Sequence, residues 1–287
     1  MNFRKYYRHS GICPLMGLLK GLALGLAASV LLAVVYVLFR HYVRMIVLGT
    51  LVTILTGALA SLAGLRGLKH GRVRSDAAAN LVALLCGLTT FYVAWILWVA
   101  LLLHRPGIGM VPLIEVTKHP SVLWETILWI NERGTWAMRG DSEPVAGLAL
   151  WLVWGLEALS LVGMGVFVSL LTRDSYCEAC QRWCEDEENI GLMAAGDLDE
   201  TRRRLKDGDV SYFLALGRPA ENALNWLTVK LTTCPGCCAL HTLTVVAMRP
   251  NTLSSLRVQD MFKNPTLMNR LILDGAEAEA VRQATRA

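Results

Sequence analysis

The chain has 287 residues, of which 54% are hydrophobic, with 28 Lys and Arg against 23 Asp and Glu. A mean hydropathy of +0.43 excludes both an ordinary soluble globular domain and an intrinsically disordered chain. The net charge of +5 sits in the first 171 residues, which hold 14 basic and 7 acidic side chains, whereas residues 172–287 hold 14 and 16. Basic clusters beside apolar runs report membrane topology, so no nucleic-acid partner is expected.

In chain order, four apolar runs stand out: Leu18–Phe39, Met45–Leu65, Leu81–Leu103 and Val145–Leu171. Each exceeds the roughly 20 residues that a helix needs to cross about 30 Å of hydrocarbon. Lys20 and Glu157 are the charges inside them. The first run follows Arg4, Lys5 and Arg8, as a secretory signal would, but it is longer than the usual apolar core of about 7 to 15 residues. It also ends at Phe39-Arg40-His41, which is no small-residue cleavage site, so an uncleaved anchor is expected. These runs predict a membrane all-α domain over residues 1–171, a four-helix transmembrane bundle, followed by a small α+β domain over 172–287.

Charge sets the expected orientation. Arg4, Lys5, Arg8 and Lys20 in the tail, and Arg66, Lys69, Arg72 and Arg74 after the second run, predict cytoplasmic segments. The stretch 104–144 balances its few cations with Glu115, Glu125, Glu132, Asp141 and Glu143 and is expected outside. Both termini are then cytoplasmic, and the Ala- and Arg-rich usage suits a bacterial inner membrane. The turn Arg40–Arg44 is the one basic segment on the wrong side. Within the external stretch a helix is expected over 121–133, capped by Ser121 and stopped by Gly134. Trp124, Trp129 and Trp136 would lie at headgroup level.

Inside the first run Gly17, Gly21, Gly25, Ser29 and Ala33 recur every fourth residue, a small-residue face that lets another backbone approach. It suits packing within the bundle or against a second copy. Glu157 is the sharpest feature in the apolar half, and no basic residue is expected at its depth. Ser29, Thr53, Thr56, Thr89, Thr90 and Tyr92 fall at similar depth and could form a polar layer with it. Such a layer serves either as an ion or proton relay or as interhelical glue with Glu157 protonated; the second is expected.

Six of the eight cysteines lie beyond residue 172. They read Cys177-Glu-Ala-Cys180 then Cys184, and Cys234-Pro-Gly-Cys237 then Cys238. A reducing cytoplasm disfavours disulfides, and two C-x-x-C pairs can give zinc four thiolates, so Cys177, Cys180, Cys234 and Cys237 are the expected ligands. Cys184, Cys238 and His241 are alternatives, as are iron and free redox thiols. Alternation in Trp226–Thr233 and again from Thr242 to Ala247 predicts strands either side of the second pair. Strand, C-P-G-C, strand resembles the knuckle of zinc ribbons and rubredoxin-like sites. The pairs are 53 residues apart, against roughly 15 to 20 in compact ribbons, which predicts a helical insertion begun at Asp197.

The whole chain resembles bacterial multi-pass membrane proteins with a Cys-pair domain after the last span. No phosphate loop, nucleophile elbow, H-E-x-x-H or kinase signature is present. The expected function is non-enzymatic: a membrane-anchored interaction or regulatory protein that binds a protein partner or itself. The alternative is a small transporter or ion-conducting bundle using Glu157.

Overall fold

The computed structural model describes residues 6–43, 46–103, 111–135, 144–171, 174–187, 191–220, 223, 225–248 and 266–286. The chain divides into two compact units, Gly11–Arg173 and a second formed by Met1–Ser10 with Asp174–Ala287. The sequence reading put the boundary after residue 171 and left the N-terminal tail with the helices.

The first unit is helical. Its long elements are α1 (Leu15–Tyr42), α2 (Ile46–His70), α3 (Asp76–Leu103) and α6 (Gly147–Leu171). All four are long and apolar enough to cross a membrane. α1, α2 and α3 outrun the apolar runs because good helix formers continue the pattern: Arg66, Lys69 and His70 lie inside α2, leaving only Gly71–Ser75 as the turn to α3.

The small-residue face of α1 packs inside this unit. Gly17, Gly21, Gly25, Ser29 and Ala33 are buried. A Cβ on Gly17 would lie 2.3 Å from the Gly71 carbonyl oxygen, and one on Gly71 would lie 2.2 Å from the Gly17 Cα. The backbones therefore meet where two glycines coincide, and Gly57 likewise leaves room for the Leu161 carbonyl of α6.

Between α3 and α6 lie α4 (Val111–Lys118), which the sequence did not suggest, and α5 (Pro120–Arg133). α5 starts at Pro120 with His119 as its N-cap, not at Ser121, because the fixed φ of proline suits the first helical position. Gly134 ends it with φ 78°. Leu123, Ile127 and Ile130 of α5 bury against Ile96 and Val99 of α3 and Leu150 and Trp154 of α6, while Trp124 and Trp129 remain exposed. Trp136 lies outside the described residues.

The second unit is a five-stranded antiparallel sheet with helices packed on it. Its elements are β1 (Tyr176–Cys177), β2 (Arg182–Trp183), β3 (Glu185–Asp186), β4 (Leu192–Ala194), α7 (Leu198–Lys206) and α8 (Val210–Ala215). They are followed by β5 (Trp226–Thr233), β6 (His241–Met248), β7 (Thr266–Leu273) and α9 (Gly275–Arg286). The order is β3-β5-β6-β7, with β4 also paired to β5, and β1–β2 forms a separate hairpin. Leu227, Val229 and Leu231 of β5 and Leu243, Val245 and Ala247 of β6 point to one core with Leu205, Phe213, Leu271 and Val281. Asp197 caps α7, its side chain accepting from the Asp199 N–H. The helical insertion is present, but it carries strands β3 and β4 as well.

Tyr6 bridges Leu271 of β7, and the Tyr7 N–H donates to the Arg270 carbonyl at 2.9 Å. The Tyr6 hydroxyl donates to the Lys206 carbonyl at 2.8 Å, satisfying an end carbonyl of α7. The tail is thus built into the sheet domain.

Candidate metal centre and an interhelical polar cluster

Two reverse turns build the cysteine pocket. β5 and β6 pair in register from Trp226↔Met248 to Thr233↔His241, which leaves residues 234–240 as the connecting knuckle. The Cys234 N–H closes it by donating to the Leu240 carbonyl at 3.0 Å, and the Cys238 N–H donates to the Cys234 carbonyl at 3.1 Å. The β1–β2 hairpin carries the other pair. In both knuckles the residue after the second cysteine turns left-handed, Gln181 at φ 51° and Cys238 at φ 49°. The two turns are therefore conformational counterparts despite their unlike sequences.

The Sγ atoms of Cys177, Cys180, Cys234 and Cys237 all lie within 4.8 Å of one another. Cys177 and Cys237 are 3.6 Å apart. A regular tetrahedron with Zn–S bonds of about 2.3 Å has edges of about 3.8 Å, so the donor set fits a tetrahedral thiolate site. Gly236 sits where a Cβ would come within 3.2 Å of the Cys180 sulfur, which keeps the second knuckle close to the first.

The thiols perturb one another. Burial pushes Cys234 up, but backbone N–H groups of Cys237 and Gly236 and the neighbouring thiols hold it down to about 7. Hydrogen bonding to Cys237, with burial next, pushes Cys180 up to about 12. Burial also raises Cys177. Clustered thiols resist joint ionisation, and a divalent cation is the partner that relieves it.

Of the alternative ligands, Cys184 is buried beside Cys177 and Cys234 but stands outside the group of four. Burial, and then the negative charge of Cys234, pushes it up to about 12. Cys238 is exposed. His241 is turned to the sheet: its Nδ1 lies 3.0 Å from Thr233 Oγ1, whose proton goes to Glu187 Oε1 at 2.6 Å. The His241 Nδ1 therefore donates. Arg282 of α9 grips the same carboxylate through Nε at 2.7 Å and Nη2 at 2.6 Å, holding Glu187 below the ordinary carboxylate range. This chain braces the strand ends on both sides of the second knuckle.

In the helical unit, Glu157 meets partners that sequence reasoning missed. Its Oε1 accepts a hydrogen bond from the Tyr36 hydroxyl, and the Arg40 Nη2 lies 3.8 Å away. A basic residue does reach Glu157, because the long arginine side chain turns along α1 and into the space left by Gly49, where a Cβ would sit 2.3 Å from Nη1. Thr53 Oγ1 approaches the Tyr36 oxygen at 3.4 Å. Of the proposed polar layer, Thr53 is the member that meets this cluster among the described residues. Ser29 donates to the Gly25 carbonyl at 2.8 Å and lies 3.1 Å from the Cys86 carbonyl, and Thr90 donates to Cys86 at 2.8 Å. Thr56 is buried on α2, Thr89 is half-buried and Tyr92 is exposed. The spacing Tyr36–Arg40, one helical turn, was the available signal.

Comparison with protein-family models, curated proteins and solved structures returns no match.

Proposed function

We propose that this chain is a multi-pass integral membrane protein, suited to a bacterial inner membrane, whose cytoplasmic domain is organised by one structural zinc ion. Its role is non-enzymatic, docking a protein partner or a second copy of itself at the membrane. The convergence of four thiolates in two matched knuckles carries the reading. Four protein ligands fill a tetrahedron, so zinc there supplies folding free energy and has no position left for substrate.

Two observations support the orientation. The segment before α1 and the segment after α6 belong to one folded unit, which supports a topology with both ends of the helical unit on one side of a bilayer. Arg40, one of the two arginines of the segment on the wrong side, turns its charge toward Glu157, which lowers its own weight as a topological signal. In the Arg202–Arg204 run, Arg203 and Arg204 both pair with Glu200, which supports a solvated helix face in place of a phosphate-binding one.

The test is the full chain purified in lipid nanodiscs. About one zinc per chain is expected, with the thiols of all four ligands shielded from alkylation until the metal is stripped. A chain that folds fully and carries no zinc when grown with it would overturn the reading. Partner docking is tested with stripped and loaded protein, self-association being measured by mass photometry.

A second reading, a small transporter or ion-conducting bundle, draws on the ionisable Glu157–Arg40 pair among apolar helices. Reconstituted vesicles with wild-type protein should show no proton flux if the pair is structural. Flux that Glu157→Gln abolishes would establish the transporter instead.

A further inference from the structure

The N-terminal tail does more than extend the sheet. The Tyr7 hydroxyl sits on the backbone of Tyr176, accepting from its N–H at 2.8 Å and lying 3.2 Å from its carbonyl oxygen. Tyr176 directly precedes the ligand Cys177 and pairs with Trp183 in the β1–β2 hairpin. The hairpin is short, two residues a side, and a two-stranded ribbon of that size has little stability of its own. Its orientation must be set from outside. The Trp183 ring stacks edgewise on Tyr176 at 5.0 Å, and His9 approaches Trp183 at 6.2 Å and Tyr7 at 5.3 Å. One end of the tail is fixed by the β7 ladder through the Tyr7 N–H and the Tyr6 bridge. The tail thus joins the rigid sheet, which carries Cys234 and Cys237, to the small hairpin, which carries Cys177 and Cys180.

We infer that Tyr7 is a positioning residue for the metal pocket, and that docking of the tail and binding of the metal are linked, each raising the affinity for the other. The inference rests on the zinc reading above. Binding free energies are reciprocal, so a segment that holds the first knuckle in place for the metal is itself held more tightly when the metal is bound. The chain's own N-terminal segment is therefore a regulatory ligand of the metal domain.

The experiment uses the full zinc-loaded chain in nanodiscs and a chelator titration. Tyr7→Phe should lose zinc at about 10- to 100-fold lower chelator concentration, the range measured for residues that orient metal ligands. Tyr6→Phe, which loses only the bond to the α7 end, should release zinc near the wild-type midpoint. The reciprocal readout needs no variant: stripping zinc from wild-type protein should speed tryptic cleavage after Arg8 at least tenfold, read by mass spectrometry. An unchanged cleavage rate, or a Tyr7→Phe midpoint equal to wild type, overturns the linkage while leaving the metal site standing. Wild-type protein that holds no zinc overturns both.

Discussion

The cysteine pocket and the Glu157 cluster are both convergences of polar groups from separate elements, yet they differ in how the chain assembles them. Each half of the cysteine pocket is a local turn, two sulfurs three residues apart, so only the meeting of two prebuilt halves depends on the global fold. The Glu157 cluster has no prebuilt half across its helices: Tyr36 and Arg40 come from α1, Thr53 from α2 and Glu157 from α6. A metal pocket can thus be strong because an ion closes it, whereas the cluster is held by the packing of the helices it joins. The first should fail abruptly and the second gradually.

The largest expected effect lies at the pocket. Cys234→Ser or Cys177→Ser should remove most of a binding free energy of about 10 kcal/mol or more. Zinc content measured by mass spectrometry should fall from about one per chain to near zero. The sheet domain should lose its near-ultraviolet dichroism while the helical signal persists. Full occupancy in both variants would erase the contrast between the two regions.

Acid should come next. Cys177 and Cys180 have raised pKa values and carry protons at neutral pH in the metal-free pocket, so zinc must displace at least those two. Because binding releases protons, affinity rises with pH and falls as pH drops, by about a hundredfold per unit for two protons. Below about 7 Cys234 becomes protonated too, and the fall steepens. A competition titration across pH 6 to 8 that gives a flat affinity would contradict four thiolate ligands.

Overpacking the glycine crossing tests the helices themselves. Gly71→Leu puts side-chain atoms into the Gly17 backbone and should cost about 2 to 3 kcal/mol, seen as a lower unfolding midpoint in detergent with zinc affinity unchanged. A lowered zinc affinity in that variant would mean that the two units are not independent.

The smallest effect belongs to the Glu157 cluster. Glu157→Leu strands Arg40 and the Tyr36 hydroxyl and should cost about 1 to 2 kcal/mol of helix association. The double variant Arg40→Leu, Glu157→Leu should recover most of that loss, because no charge is left without its counterpart. Glu157→Gln keeps an acceptor for Tyr36 and should fall between. Additive losses in the double variant would show that the pair is not coupled.

How much of this was readable follows the same division. The four apolar helices, the β5–knuckle–β6 hairpin and the four clustered cysteines rest on short-range patterns: run length, alternation and C-x-x-C spacing. β7 was not read because its alternation is broken. Leu267 and Met268 are both buried, and the pairing of β6 with β7 shifts register between Leu243 and Val246, so an extra residue spoils the two-residue period. α9 buries Ala278, Val281 and Thr285, of which only Val281 is a large apolar residue, so the stripe does not stand out among its charges. Arg40 looked like part of a loop because its position near a helix end suggests a side chain turned to water. Only the depth of Gly49 and Glu157 beside it shows otherwise, and that is a property of three helices at once.

The ladder between Tyr6 and Leu271 has a consequence for biosynthesis. Tyr6 precedes the four long helices in the chain and Leu271 follows them, so the sheet edge that receives the tail is made only after those helices. Until then the N-terminal segment has no β7 to pair with. On the membrane topology proposed above, a first helix inserted in the opposite sense would strand Tyr6 and Tyr7 across the membrane from β7. Such a product has an open sheet edge and a loosened first knuckle, the kind of defect that quality-control proteases recognise. On the membrane topology proposed above, the bridge between the tail and β7 converts an error of helix orientation into a folding defect in the sheet domain.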